Sequence, residues 1–155
     1  ITRQRVKSLL SKVFSENERQ FQYQKDLEIK LDNDDINVDF VFKKPTRTGT
    51  KNNILNSLSF DYAPSQEKNA LTIAKEWHWN INKMQDLQKQ NKYINKYIDS
   101  ESDLDFTTIV LQSKKTKSLE HASEILADVS NIITVDTEDE VIKAANEIVR
   151  KTVKN

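Results

Sequence analysis

The sequence predicts an α/β (α+β) fold, a central mixed sheet flanked by helices with elements in the order αβββαβαβα. Three observations carry this reading. Apolar residues recur every third or fourth position near both ends and in the middle of the chain, as helices with one buried face require. Other stretches either alternate apolar with polar or run apolar for a few residues, which suits half-buried and fully buried strands. Finally, three strands come in succession and later ones alternate with helices. The first group therefore reads as an antiparallel meander, and the later βα units as parallel strands reached by right-handed crossovers.

The elements follow in order. Val6, Leu9, Leu10, Val13 and Phe14 form a helical stripe with basic residues opposite. In "DLEIKL", Leu27, Ile29 and Leu31 alternate with charge, and "DNDD" at 32–35 is turn chemistry. "INVDFVFKK" places Ile36, Val38, Phe40 and Phe42 on one face, with Asp39 and Val41 on the other. Residues 43–53, "KKPTRTGTKNN", hold the only glycine and read as a basic loop. A strand over 54–62 ends before Pro64. A long helix from about Gln66 carries Ala70, Ile73, Ala74, Trp77, Ile81, Met84 and Leu87, and extends toward Tyr97 with a break or fraying in "QKQNKYINKY". "DSESDLD" at 99–105 is an acidic linker, and "FTTIVLQ" at 106–112 a central strand. A helix with Leu119, Ala122, Ile125, Leu126 and Val129 leads to the strand "NIITV" at 131–135. The final helix opens on Thr137 and Glu140, a capping box, with acids in its first turn and Arg150 and Lys151 near its end.

Composition narrows the chemistry. The 155 residues suit one domain over 1–155, and 24 Lys plus Arg balance 24 Asp plus Glu, so no global field favours nucleic acid or membrane. The absence of Cys removes disulfides, thiolate catalysis and Cys-ligated zinc, and His78 and His121 lie far from ligand spacing. No stretch approaches the roughly 20 apolar residues of a membrane span. The charged opening "ITRQRVKSLL" is unlike a secretory signal, so a cytoplasmic protein is expected. The first residue, Ile1, reads as the start of a processed product or of the C-terminal part of a longer protein.

The αβββαβ order, with Asp39 in "NVDFVF" and Asp61 in "LSFDYA", resembles the PD-(D/E)XK nuclease superfamily and its restriction-endonuclease-like fold. In that superfamily an acid on the second core strand and an E-x-K or D-x-K on the third hold Mg²⁺ and activate water. The resemblance implies Asp39 and Asp61 as metal ligands sharing one sheet face. The expected lysine position holds Ala63, so Lys68 or Lys75 on the following helix would have to supply the cation. A second resemblance, on "VDFVFKKPT" and "ALTIAKEW", is to an uncharacterised C-terminal domain of two-domain proteins from Gram-positive bacteria and their mobile elements. No established activity accompanies it.

Each candidate residue also has a plainer reading. Asp39 can form a salt bridge at a strand, and Asp61 can open an Asx-type turn before Pro64. Lys43, Lys44, Arg47 and Lys51 could contact phosphates or form a solvated loop, and the same holds for Lys114, Lys115 and Lys117. Trp77 falls on the apolar stripe, whereas Trp79 lies off it and suits a partner contact. Tyr93 and Tyr97, beside Lys92 and Lys96, suit either base stacking or an amphipathic helical extension. The leading expectation is a noncatalytic domain, without cofactor, that binds a protein partner or nucleic acid. The alternatives are a Mg²⁺-dependent DNA endonuclease and an assembly or regulatory domain with no nucleic-acid role.

Overall fold

The stripe Val6, Leu9, Leu10, Val13 and Phe14 becomes the buried face of helix α1 (Arg3–Glu16) in the computed structural model, which describes residues 1–154. Strands β1 (Tyr23–Leu31), β2 (Asp34–Thr46) and β3 (Gly49–Ser59) follow as an antiparallel meander. A single 3₁₀ turn at Pro64–Gln66 leads into α2 (Lys68–Lys89), which crosses over to β4 (Asp103–Leu111), parallel to β3. Helix α3 (Lys117–Ala127) makes a second crossover to β5 (Asn131–Val135), and α4 (Glu138–Val153) closes the order. The five strands lie in sequence order, with α2 and α3 packed on one face and α1 and α4 on the other. The expected class, a mixed sheet between helices in αβββαβαβα order, is the observed one. The capping box at Thr137 is also present, with both reciprocal bonds formed.

Two cores result. On the α2 and α3 side, Trp77, Ile81 and Met84 of α2 pack against Ile54, Phe60 and Val110. Beneath α1 and α4, the rings of Phe14, Phe21, Tyr23, Phe40 and Phe42 cluster with centroids 4.7–6.5 Å apart. Each buried ring of this kind removes a large apolar area from water, which suits a composition lean in apolar residues.

Several boundaries differ from the sequence reading, each for a local reason. Residues 43–53 are not a loop: they form the ends of β2 and β3, and Thr46 pairs with Gly49 across the two-residue turn Arg47–Thr48. Cross-strand pairing of a polar ribbon beside the sheet outweighs its turn-like composition. The strand β3 ends at Ser59 rather than 62, and β4 takes up Asp103–Asp105 of the acidic segment. Helix α2 stops at Lys89 instead of running toward Tyr97, because Asn91 adopts φ 55° and lets Lys92 donate back to the Leu87 carbonyl at 3.0 Å. That is a Schellman stop built on a residue type that tolerates the left-handed region. Residues 92–102 then run as a strap over the β1 edge, where Lys30 N–H donates to the Ile94 carbonyl at 2.7 Å and Asn95 Nδ2 to the Glu28 carbonyl at 2.7 Å.

The largest departure is within β2. Ile36 and Val38 pack toward α2, but Phe40 and Phe42 pack toward α1 and α4, so the four do not share a face. The register from Tyr23↔Phe42 to Leu31↔Asp34 is interrupted only at the step where Asp26 would meet Asp39. Asp26 has φ 55°, and the alternation slips by one residue in both strands there. The far half of the β1–β2 hairpin can therefore curl onto α2, where Lys83 grips Asp32 at 2.6 Å.

A candidate site at the fork between β2 and β3

The same irregularity opens the sheet. The β2–β3 pairing ends at Phe40↔Leu55, although β2 extends back to Asp34 and β3 onward to Ser59. Asp39 sits in the fork. Its backbone N–H donates to Asn56 Oδ1 at 3.2 Å instead of a ladder partner. Its carboxylate is 4% exposed as a residue and is surrounded by donors. Ser57 donates to Oδ2 from both its backbone N–H, at 2.9 Å, and its hydroxyl, at 2.5 Å. Arg3 Nη2 reaches Oδ1 at 3.0 Å and Oδ2 at 3.3 Å, while Arg3 Nε donates to the Ser57 carbonyl at 2.6 Å. One turn further along α1, Lys7 pairs with Asp26 and comes within 3.9 Å of Asp39. A buried carboxylate needs such a set, because an isolated charge in the interior is strongly penalised.

Asp61 lies elsewhere. It is exposed, beyond the end of β3, and accepts from the Ser113 N–H and hydroxyl, each at 2.8 Å. It thus ties the β3 end to the segment after β4. It stands four positions beyond Ser57, roughly 13 Å of extended chain. The two aspartates share no hydrogen-bond partner. Opposite Asp39 the chain instead offers Ser57, with Ser59 two residues on. Lys68 and Lys75 are exposed on α2, which covers the sheet face opposite α1, and neither forms an ion pair with either aspartate among the described residues. Mg²⁺ does not fit this donor set: both Asp39 oxygens are engaged by Arg3 and Ser57, and no group of three acids or histidines gathers among the described residues.

The basic residues are dispersed rather than pooled. Lys43 turns inward, donating to the Tyr97 carbonyl at 2.8 Å with its ammonium 4.5 Å over the Tyr97 ring. Burial pushes the Lys43 pKa down, partly opposed by Asp99, and pushes the Tyr97 hydroxyl up. Lys51 pairs with Asp105 at 3.2 Å. Arg47 occupies the hairpin tip, while Lys114, Lys115 and Lys117 lie past the carboxyl end of β4. Those two places are at opposite ends of parallel strands, roughly 30 Å apart. Trp77 is core, its Nε1 donating to Thr108 Oγ1 at 2.9 Å, and Trp79 is 58% exposed on the outer side of α2. Tyr93 is exposed, and Tyr97 is half-buried in the strap. His78 meets Asn82, and His121 meets Glu124, both at the surface.

Sequence reasoning missed Arg3, Lys7 and Ser57. Arg3 and Lys7 do carry a signal, a basic pair at i, i+4 on the first helix. Ser57 carries none, since nothing local distinguishes it from Ser59. No helix among the described residues is long and apolar enough to cross a membrane. No family model matches the chain, and neither does any curated protein or solved structure.

Proposed function

We propose that this chain is a noncatalytic binding domain on a degenerate PD-(D/E)XK-like sheet, of bacterial or mobile-element type, and that its partner is a protein. The observation that carries the reading is the Arg3–Asp39–Ser57 set. A guanidinium and a hydroxyl occupy the carboxylate where a nuclease would need a cation. The acid has become a bolt between α1, β2 and β3. A protein partner is favoured over nucleic acid by the dispersal of the basic residues, by the zero net charge and by the exposed Trp79. Large aromatic side chains exposed in this way are over-represented at protein contacts.

Incubation of the purified chain with supercoiled plasmid and Mg²⁺ or Mn²⁺ tests the first half. No nicking above buffer is expected, and nicking abolished by Asp39→Ala would restore the endonuclease reading. For the second half, pull-down of partners is expected to be lost on Trp79→Ala and to survive added salt. Duplex DNA binding with a log–log salt slope of about −3, removed by reversing Lys114, Lys115 and Lys117 to Glu, would instead establish a phosphate contact.

A further inference from the structure

We propose that the amino-terminal end of β4 is a docking site for an extended peptide, which adds there as a short strand and directs an acidic side chain toward Lys44 and Lys151. This surface is distinct from the fork and from Trp79, and the inference stands whether or not the reading above does.

Strand β5 pairs only with Thr107–Leu111, whereas β3 pairs along β4 from Asp103 onward. Asp103–Phe106 therefore have a strand neighbour on one side only. Alternation identifies the backbone groups left over. Phe60 N–H donates to the Leu111 carbonyl from the β3 side at 2.8 Å, and Gln112 N–H donates to the Val135 carbonyl on the β5 side at 2.9 Å. Odd-numbered residues of β4 thus turn their N–H and C=O toward β3, and even-numbered ones toward β5. Leu104 N–H, Leu104 C=O and Phe106 N–H consequently line an edge that begins where β5 gives out. No loop or side chain among the described residues caps them. Unpaired groups in this arrangement are what an incoming strand recognises.

A cleft of about 410 Å³ runs along this edge, and its two walls differ. On the α4 side stand Lys44, Thr107 and Lys151, together with Asp105, whose charge is already paired with Lys51 at 3.2 Å; on the α2 side stand Leu104, Phe106 and Val129. Lys44 makes no ion pair among the described residues, and Lys151 has only Glu147 at 3.8 Å, an exposed pair. A strand laid in the cleft presents successive side chains to opposite walls. The matching ligand is therefore an apolar–acidic–apolar segment. The free stretch of β4, roughly 13 Å, accommodates three or four residues of it. Nucleic acid lacks the amide spacing the edge demands.

The test uses the whole chain and a fluorescent, acetylated and amidated Thr-Val-Glu-Val-Thr peptide, followed by polarisation. Saturable binding is expected, with slowed amide exchange at Leu104 and Phe106. Combined Lys44→Glu and Lys151→Glu should weaken it about tenfold or more, roughly one charge pair's worth. A peptide with lysine in place of its glutamate should recover affinity for that variant. Methylating the peptide's backbone nitrogens should abolish binding to the unaltered chain, a control that needs no protein variant. Absence of saturable binding, binding indifferent to both charge reversal and N-methylation, or protection appearing away from β4 would each overturn the proposal.

Discussion

Arg3 shows how a surface residue can hold a buried one. Its guanidinium spans α1, the Asp39 carboxylate and the Ser57 carbonyl, although the side chain is 44% exposed. Hydrogen bonds to charged groups are worth roughly 1.5–3 kcal/mol, and partial exposure argues for the lower half of that range. Arg3→Ala should therefore cost about 2 kcal/mol in urea unfolding. Paired with Asp39→Asn, it should cost clearly less than the sum of the two single changes, because each variant alone strands the other's partner. An additive result would show that Asp39 is held by Ser57 alone. At this scale the sequence was half legible. Asp39 stood out by its strand context, but its partners are 36 and 18 residues distant, and no local pattern announces a contact of that range.

At the scale of elements, composition misled where tertiary pairing or a special dihedral decided the outcome. "KKPTRTGTKNN" has turn composition, yet nine of its eleven residues lie in β2 or β3, all but Arg47 and Thr48 at the tip. The apolar stripes, by contrast, located the first three helices, because burial of one face dictates them directly, and the polar capping box at Thr137 and Glu140 located the last. The stop of α2 depends on Asn91. Asn91→Val should cost about 1–2 kcal/mol by forcing a β-branched residue into the left-handed region, and Asn91→Gly should be neutral or mildly stabilising. Thermal melts of the two variants decide it. Equal losses would mean that the strap, not the Schellman geometry, ends the helix.

For the whole molecule, surface ion pairs contribute to the loss of stability in acid. Asp32, Glu138 and Glu147 are each held below their ordinary pKa by a hydrogen bond, from Lys83, Arg5 and Arg150 respectively. The folded chain thus binds fewer protons than the unfolded one across the window beneath the ordinary carboxylate range. The stability these pairs supply is present above that range and is lost as pH falls through the lowered values. Melting temperature should be flat near neutrality and fall below about pH 4.5, less steeply in high salt because all three pairs are solvent-exposed. A fall that begins well above that pH would point to a different titrating group. The packing of α1 against α4 has a consequence for biosynthesis. Arg5 meets Glu138 across 133 residues of sequence, so the first helix leaves the ribosome long before its companion exists. Until α4 emerges, Val6 and Leu10 lack the helix that closes their core, so this side of the sheet is the last to complete its packing.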